Sequence, residues 1–474
     1  MKTTISIICL ILACSISSAQ PFQQRLDIAV KKLLSDAQMK HAIMSFYVMD
    51  NKTGKTVYDL NAQTGLAPAS TQKIFTAIAA LEMLGEKYRY KTEVGYDGKM
   101  NDSVLYGNLF IVGYGDPSFG SWRFTQTKRD TILNTILLSV RNAGIKKING
   151  NIILDDSRFS YQPLPGGWIW DDIGNYYGAG TWAINWNENQ YDLVLKPGKH
   201  EGENVEITGT NPEINYAIKN FLKTGKPGSG DNGYIYMSPY STEGFVTGTE
   251  AATTGNYTIS GSISYPAQQF ADELFEKIVS DKIELSGKLI MKTKDIISGN
   301  RYFNDRKYIS SKLIYTYYSP ALDSLLYWFL QKSINLYGEA FAKTLAYEKT
   351  GFGSTDTAVN IIKQFWKKRG IENAALNIGD GSGLSPQNRV TTDAMVKALQ
   401  YARNKSWFDT FYKALPVYNG MKMKSGTIGG VKAYAGYQTS TSGNEYTFAI
   451  IINNYNDIGG SISEKIFKVL NELK

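Results

Sequence analysis

Ser70 and Lys73 are the two side chains whose types and spacing point most directly to chemistry. They bound the segment Ser70-Thr71-Gln72-Lys73, and Ser70 is the one serine of the chain with a lysine three residues later. On a helix, this spacing places both side chains on one face. A serine hydroxyl is a poor nucleophile until a neighbour accepts its proton, and a lysine can accept it when its pKa is lowered. The pair therefore predicts a nucleophile and its base, although an N-capping serine beside a surface lysine would show the same spacing.

The residues around this pair predict the element that would position it. An Ala-, Ile- and Leu-rich run from Thr71 to Leu84 predicts a helix, and Pro68 is well placed for a stop before it. Ser70 would then stand at the helix N-terminus, where unpaired N–H groups can stabilise an oxyanion.

A Ser-x-Asn triplet could approach the same pocket from its other side. Three copies occur, and the two that contain glycine, Ser298-Gly299-Asn300 and Ser442-Gly443-Asn444, are typical of turns. Ser333-Ile334-Asn335 instead separates two predicted core helices. A short break of this kind can direct Ser333 and Asn335 into a cleft, although it can also be a simple helix–helix turn.

A Lys-Thr/Ser-Gly triplet on a strand beside the serine could supply a cation, hydroxyls and a backbone N–H. Three of the four copies fall in a predicted hairpin turn at 52–54, a Gly/Pro-rich loop at 223–225 and a helix connection at 349–351. Lys424-Ser425-Gly426-Thr427 lies on a predicted strand and follows both earlier motifs in the chain. This copy therefore completes the predicted site.

The order of these three motifs matches the pattern shared by penicillin-binding proteins and class A β-lactamases. The chain as a whole resembles the class C low-molecular-mass penicillin-binding proteins, which are D-alanyl-D-alanine carboxypeptidases and endopeptidases of peptidase family S13. Further segments carry the resemblance over nearly the whole mature chain. They are Pro68–Lys73 (PASTQK), Gly107–Pro117 (GNLFIVGYGDP), Gly167–Asp172 (GWIWDD) and Asp380–Ser385 (DGSGLS).

The resemblance implies a role for each catalytic residue. Ser70 attacks the D-Ala carbonyl, Lys73 accepts its proton, and Ser333 relays a proton toward the leaving amine. Asn335 helps to hold Lys73 and the substrate amide. Lys424 supplies positive charge that keeps Lys73 neutral and attracts the substrate carboxylate.

The resemblance also implies a set of binding residues. The hydroxyls of Ser425 and Thr427 contact the substrate carboxylate across Gly426, and the N–H groups of Ser70 and Thr427 form the oxyanion hole. Asp155 follows a strand-like run and aligns with an acidic residue that contacts a diaminopimelate amine in some relatives. A turn aspartate at a strand end would look the same.

Two positions depart from the family pattern. Ser425 stands where threonine is usual, but it keeps the hydroxyl. Gly338 stands where relatives often have alanine, and we expect this difference to affect helix packing and not chemistry. The implied partners are peptidoglycan stem peptides and, as covalent inhibitors, β-lactam antibiotics.

The implied fold class is α/β (α+β), with an antiparallel transpeptidase-like sheet flanked by helices. Residues 20–92 and 300–474 mix helical and strand-like segments and are assigned to the catalytic domain. Residues 93–299 carry short β-like runs between Gly, Asn, Asp and Pro, which predict a large, mainly β insertion. This insertion accounts for the long gap between Ser70 and Ser333.

The N-terminal segment 1–19 is typical of a signal peptide, with Lys2, an apolar run at 5–16 and small residues up to Ala19. We therefore expect a periplasmic or other extracytoplasmic location. A retained membrane anchor or a lipoprotein linked through Cys14 are the alternatives. Both cysteines, Cys9 and Cys14, lie in this segment, so thiol chemistry is not expected of the mature chain.

Charge and histidine content exclude other classes of function. The formal charge of +8 is dispersed and forms no Lys/Arg block, so nucleic-acid binding is not expected, although anionic envelope polymers could attract the chain. His41 and His200 lie in no motif, which argues against a zinc site or a Ser-His-Asp triad. No metal or cofactor is expected.

Two rival functions stay open at this stage. A serine β-lactamase would also need a glutamate placed to hydrolyse the acyl-enzyme, and the segment Glu188–Leu193 is not the Glu-x-x-Leu-Asn pattern that would supply one. A catalytically inactive peptidoglycan-binding module would not need the full catalytic set. The sequence does not decide between carboxypeptidase and endopeptidase activity.

Overall fold

A computed structural model describes residues 22–298, 312–456 and 458–474. The α-helices in this part are α1 Phe22–Leu34, α2 Lys73–Leu84, α3 Arg129–Asn142, α4 Trp170–Ile173, α5 Pro266–Ser280, α6 Lys292–Ile297, α7 Leu322–Gln331, α8 Asn335–Thr350, α9 Thr355–Lys367, α10 Thr392–Arg403, α11 Phe408–Ala414 and α12 Ile462–Leu470.

The strands of the same ranges are β1 Ile43–Asp50, β2 Thr56–Leu60, β3 Lys91–Tyr96, β4 Lys99–Asn101, β5 Val104–Tyr106, β6 Leu109–Gly113, β7 Lys147–Ile148, β8 Ile152–Asp155, β9 Gln190–Lys196, β10 Glu206–Asn211, β11 Ala217–Gly225, β12 Asp231–Tyr236, β13 Glu243–Ala251, β14 Tyr257–Ser262, β15 Glu284–Leu285, β16 Leu289–Met291, β17 Lys312–Tyr318, β18 Leu376–Asn377, β19 Arg389–Val390, β20 Val417–Tyr418, β21 Met421–Ile428, β22 Val431–Thr439 and β23 Glu445–Asn453.

The predicted signal peptide, 1–19, and the Gly299-Asn300 part of one Ser-x-Asn copy lie outside the described residues. Among the helices that the structure describes, none is both long and apolar enough to cross a membrane.

A six-stranded antiparallel sheet joins the two ends of the chain. Its strand order is β2-β1-β23-β22-β21-β20. Two strand-like runs and a turn with glycine predict a hairpin at 41–60, and the structure contains it: β1 pairs with β2, and Asp50 Oδ1 accepts hydrogen bonds from the backbone N–H groups of Lys52 and Thr53 in the turn. The other edge of β1 pairs with β23, with Ser45 opposite Ile451. The strand that will carry the third motif, β21, therefore lies in the same sheet as the hairpin that leads to Ser70.

Alternating side chains cover both faces of this sheet, as expected for strands buried on both sides. Phe46, Val48 and Phe448 belong to the core formed with α1 and α12. Tyr47 and Ala449 face the opposite core, which the central helices α2, α7, α8, α9 and α10 fill. The fold is thus a sheet between two helical layers, and the predicted catalytic architecture is confirmed.

The helices that border the predicted site have the expected apolar stripes, but they begin and end at other residues than predicted. In α7 the buried residues are Leu322, Leu325, Leu326, Phe329 and Leu330. The sequence at 338–347 predicts a helix; in the structure this helix, α8, begins earlier, at Asn335, and ends at Thr350, and the positive φ of 80° at Gly351 closes its last turn. The predicted helix from Thr71 is a 3₁₀ turn at Ala69–Gln72 that continues into α2.

The inserted part of the chain builds further sheets of its own. A five-stranded sheet has the order β16-β8-β6-β3-β17, and a four-stranded sheet has the order β15-β7-β5-β4. Both share a core with α3 and α5. Since β17 completes the sheet that β3 begins, we propose that the inserted material extends from Lys91 to Tyr318.

Two three-stranded sheets, β10-β9-β14 and β11-β13-β12, form a separate small core within the insertion. Leu193 and Ile259 come from the first sheet, and Leu222, Ile235 and Val246 come from the second. The prediction of a loop for the Lys-Thr-Gly copy at 223–225 is wrong, because these residues form the end of β11.

Candidate active site

The segment around Ser70 is a strained turn that precedes α2. Ala69 has a positive φ of 46°, which non-glycine residues rarely adopt. The Thr71 hydroxyl donates to the Pro68 carbonyl at 2.6 Å, and the Gln72 amide donates to the Asp380 carbonyl at 2.7 Å. These bonds fix the turn from both sides. Ser70 stays partly exposed and lines a cleft, whereas its neighbours Thr71 and Gln72 are buried.

Lys73 is fully buried beneath Ser70. Its Nζ lies 3.0 Å from Ser70 Oγ, 2.6 Å from Asn335 Oδ1 and 2.8 Å from the Ser382 carbonyl oxygen. Burial lowers the pKa of this lysine to about 7, against the opposing influence of the Asp380 and Glu339 carboxylates. The amine therefore titrates near neutral pH while it touches the hydroxyl.

The second motif lies in the break between α7 and α8, as predicted. Ser333 has a positive φ of 57° and lines the cleft. Asn335 is the first residue of α8, and its two polar atoms are both engaged. Oδ1 faces Lys73, and Nδ2 donates to the Tyr177 carbonyl at 2.7 Å. The asparagine thus joins the lysine to a segment of the insertion.

The third motif lies on β21, whose backbone packs against the Ser70 turn. A Cβ atom built on Gly426 would lie 2.5 Å from the Pro68 carbonyl oxygen and 3.0 Å from the Ser70 nitrogen. Thr427 is exposed and lines the cleft, and Ser425 is partly buried. Glycine at 426 is what allows the strand to approach the Ser70 turn this closely.

Lys424 is buried on the same side of β21 as Gly426, the side that faces the Ser70 turn, and it is not among the residues that line the cleft. Its Nζ donates to the Ser425 carbonyl at 2.8 Å. Burial lowers its pKa well below the usual value, and the charges of Lys73 and Lys432 lower it further. Lys432, opposite Thr427 on β22, donates to the Thr427 hydroxyl at 2.8 Å. Lys432 was not identified from the sequence, because only the pairing of β21 with β22 brings it next to Thr427.

The Asp380–Ser385 loop carries the carbonyl that contacts Lys73. The buried Asp380 carboxylate accepts hydrogen bonds from Gln72, Trp168 and Asn388 side chains and from backbone N–H groups of the loop. Trp168 belongs to the GWIWDD segment, so Asp380 ties the insertion to the turn around Ser70. The resemblance pointed to both segments without showing that they touch.

Glu339 and Lys343 are buried ionisable side chains of α8 behind the loop. Glu339 accepts the Gly381 N–H, and burial raises its pKa to about 7. Lys343, one turn further along α8, is also fully buried, and burial lowers its pKa to about 7. Its Nζ donates to the carbonyl groups of Gln162, Pro163 and Thr181 in the insertion.

Gly338 brings the loop and α8 into direct contact. A Cβ atom there would lie 2.9 Å from Phe329 and 3.2 Å from Ser382 Cα, next to the carbonyl that Lys73 contacts. The departure from the family pattern at this position therefore reaches beyond helix packing to the surroundings of the amine.

Asp155 lies outside the group of residues that line the cleft. It is buried at the end of β8, where it forms a 3.2 Å ion pair with Lys292 and accepts hydrogen bonds from Ser157. Burial would raise its pKa, but Lys292 and Ser157 outweigh this influence and lower it. Its predicted contact with a diaminopimelate amine stays a prediction.

Two other carboxylates, Asp171 and Asp172, line the cleft of about 970 Å³ together with Ser70 and Thr427. Burial raises the pKa of Asp172 to about 6, and the charge of Asp171 adds to this effect. Sequence reasoning quoted the GWIWDD segment that contains them but assigned them no role. Two adjacent carboxylates at the end of this segment are the sequence feature from which a binding role could have been predicted.

Comparisons with known proteins agree with this geometry. The D-Ala-D-Ala carboxypeptidase 3 (S13) family matches residues 26–473. The chain is 27% identical over 454 residues to a D-alanyl-D-alanine carboxypeptidase of Actinomadura sp. (strain R39), covering 90% of this chain and 80% of that protein. It is 26% identical over 440 residues to the D-alanyl-D-alanine carboxypeptidase DacB of Haemophilus influenzae, covering 87% of this chain and 85% of that protein.

The crystal structure of penicillin binding protein 4 (dacB) from Haemophilus influenzae superposes with a TM-score of 0.78 at 22% identity, covering 94% of this chain and 97% of that one. The penicillin-binding fold is therefore confirmed. The chain belongs to the D-Ala-D-Ala carboxypeptidase 3 (S13) family. With this membership, the predicted class of enzyme, a serine-type carboxypeptidase that acts on peptidoglycan, is confirmed.

The close approach at Gly426 yields a first prediction. Gly426→Ala should reduce the rate of acylation by a fluorescent penicillin by at least about tenfold, because the new methyl group must displace either β21 or the Ser70 turn. Gly209→Ala is the matched control, since its Cβ would meet nothing within 4 Å on the strand β10. Equal acylation rates for the two variants would contradict the contact.

Proposed function

We propose that this enzyme cleaves D-Ala-D-Ala stem peptides through an acyl-enzyme on Ser70, with Lys73 as the general base. The observation that carries the proposal is the 3.0 Å contact between a partly exposed hydroxyl and a fully buried amine. This distance is within the range needed for direct proton transfer.

The three neighbours of the Lys73 amine satisfy an ammonium group, which would donate to all of them, and they also satisfy the neutral amine that its lowered pKa of about 7 makes available. A neutral amine has two N–H donors and one lone pair, and the Nζ atom has three neighbours. The Asn335 and Ser382 oxygens can only accept, so they take the two N–H groups. In the neutral form the lone pair is directed at Ser70, whose hydroxyl would donate to it and lose its proton along the 3.0 Å contact.

The proposed roles of the remaining residues follow from their positions. Ser333, at the cleft wall, would pass the proton to the leaving amine. The backbone N–H groups of Ser70 and Thr427 would hold the oxyanion. The Ser425 and Thr427 hydroxyls would hold the terminal carboxylate of the substrate.

The positive charges of two lysines would attract the terminal carboxylate of the substrate. Lys432 touches the exposed Thr427 hydroxyl, whereas Lys424 is buried on the other side of the strand backbone. A carboxylate that binds Thr427 thus meets Lys432 directly. Lys424 would contribute through its charge and through its hold on the Ser425 carbonyl.

The cleft also favours a substrate side chain that carries an ammonium group. Asp171 and Asp172 stand in the cleft wall, whereas Asp155 is already paired with Lys292. We therefore propose that the amine of a diaminopimelate-type residue is received by Asp171 and Asp172 in place of Asp155.

The rival β-lactamase activity requires a free base that activates water. Glu188 lines the cleft, but its carboxylate accepts hydrogen bonds from Ser121, from two nitrogens of Arg123 and from Tyr337. Three of these bonds are to Oε1 and one is to Oε2, and the Arg123 guanidinium also forms an ion pair with the carboxylate at 2.7 Å. Glu188 is therefore committed to structure, which favours a long-lived penicillin adduct.

We also propose that the enzyme works outside the cytoplasm after removal of residues 1–19. The loss of Lys2 would lower the formal charge from +8 to +7, and this positive charge would attract the mature enzyme to anionic polymers of the envelope.

Removal of the nucleophile tests the proposal directly. Ser70→Ala should abolish labelling by a fluorescent penicillin and should stop D-Ala release from muropeptide monomers and cleavage of crosslinked dimers, both followed by mass spectrometry. An unchanged melting temperature would show that the fold is intact. Labelling that survives the substitution would assign the nucleophile to another residue.

The pKa of Lys73 predicts how acylation depends on pH. Because the neutral amine is the base, the acylation rate should rise about tenfold per pH unit below the pKa of about 7 and level off above it. Glu339 also has a pKa of about 7, so Glu339→Gln separates the two groups. If Lys73 is the titrating group, losing this nearby carboxylate should move the midpoint to lower pH. A midpoint that vanishes in Glu339→Gln would assign the titration to Glu339.

Substitution of the cleft carboxylates tests the substrate proposal. Asp172→Asn should lower kcat/KM about tenfold for a stem peptide with a free diaminopimelate amine, the scale of one charge-assisted hydrogen bond. The same peptide with an acetylated amine should react equally with both proteins. Asp155→Asn is the control, and a selective loss in that variant instead would return the role to Asp155.

A further inference from the structure

The sheet β11-β13-β12 exposes large aromatic rings on one side. Side chains alternate along its strands, so that Leu222, Ile235 and Val246 enter the core. Phe221, Tyr236 and Phe245 project from the other side. The Phe221 side chain is 58% exposed, although it is wholly apolar.

These rings form a continuous row that ends at the helix α4. The centroids of Phe221 and Phe245 are 6.3 Å apart, Phe245 stacks on Tyr236 at 4.8 Å with an interplanar angle of 15°, and Tyr236 lies 5.7 Å from Trp170. We call these four residues the aromatic face. An exposed apolar patch of this kind is typical of an interaction surface.

The aromatic face is continuous with the active-site cleft. Tyr234 projects from the same side of β12 as Tyr236 and lines the cleft. The Tyr236 hydroxyl donates to Asp171 Oδ1 at 3.0 Å, and Asp171 also lines the cleft. A polymer that lies along the rings would therefore pass the entrance of the site.

Polar groups on the same side of the sheet narrow the class of ligand. In the strand registers, Lys219 lies opposite Phe245, Thr247 lies opposite Phe221, and Asn232 lies opposite Thr249. Flat rings flanked by hydroxyl and amide groups suit pyranose sugars. The faces of these sugars present C–H groups to the electron-rich faces of aromatic rings, and their edges present hydroxyl and acetamido groups.

Peptidoglycan provides such a ligand, since its stem peptides are attached to strands of linked amino sugars. We propose that the aromatic face binds the glycan strand of peptidoglycan while the attached stem peptide reaches Ser70. The proposal goes beyond the chemistry at Ser70: it rests on peptidoglycan as the substrate and not on the roles of the catalytic residues.

The test measures binding of the purified protein to glycan strands from which an amidase has removed the peptides. Phe221→Ala and Phe245→Ala should each weaken binding about fivefold to tenfold, the scale of one lost ring contact. Tyr318→Ala is the matched control, because this ring on β17 is 56% exposed and should leave binding unchanged. Penicillin acylation should stay at the parent rate in all three variants.

Three outcomes would overturn the proposal. Equal binding by Phe221→Ala, Phe245→Ala and Tyr318→Ala would show that the rings do not hold the glycan. Binding of the parent protein to complete peptidoglycan but not to peptide-free strands would give the face a different occupant. Loss of acylation together with binding in both phenylalanine variants would show that the face is not a separate surface. Ser70→Ala protein should bind glycan normally, which keeps a failure of this proposal distinct from a failure of the catalytic one.

Discussion

The burial of the Lys73 amine against Ser70 is the interaction on which the rest of the site depends. An ammonium group removed from water is costly, and this cost is what brings the lysine pKa down to about 7. The same burial demands that every N–H of the amine has a partner. The Asn335 amide and the Ser382 carbonyl meet this demand, so the electrostatic condition for a neutral base and the geometric condition for its orientation are satisfied by the same contacts.

These contacts explain how segments far apart in the chain assemble one site. Asn335 reaches the insertion through Tyr177, and Asp380 reaches it through Trp168. Lys343 makes a third connection from α8. The insertion thus supports the catalytic helices from outside as well as forming the cleft wall.

The sequence allowed prediction of the three motifs, because each depends on local spacing and on the type of element that carries it. The helical stripe of α7, the hairpin at 41–60 and a strand at 421–425, which the structure extends to Ile428, are predicted for the same reason. The fold class followed from the family resemblance and not from periodicity.

Features that depend on contacts between distant segments could not be predicted. The left-handed φ of Ala69 occurs in the turn that packs against β21. Lys432 contacts Thr427 only because β21 pairs with β22. Asp155 and Asp172 are both acidic residues near strand or helix ends. They differ in that Asp155 forms an ion pair with Lys292, whereas Asp172 lines the cleft. No local pattern records that pair.

The contact at Gly338 has an evolutionary consequence. Since its missing side chain leaves room for both Phe329 and the backbone of Ser382, residues at these three positions cannot vary independently. Alanine at 338 would require small shifts of the Phe329 ring and of the loop backbone at 381–382. The position of the Ser382 carbonyl, which contacts the Lys73 amine, therefore depends on the residues at 329, 338 and 382 together. We expect these three positions to vary together among homologues.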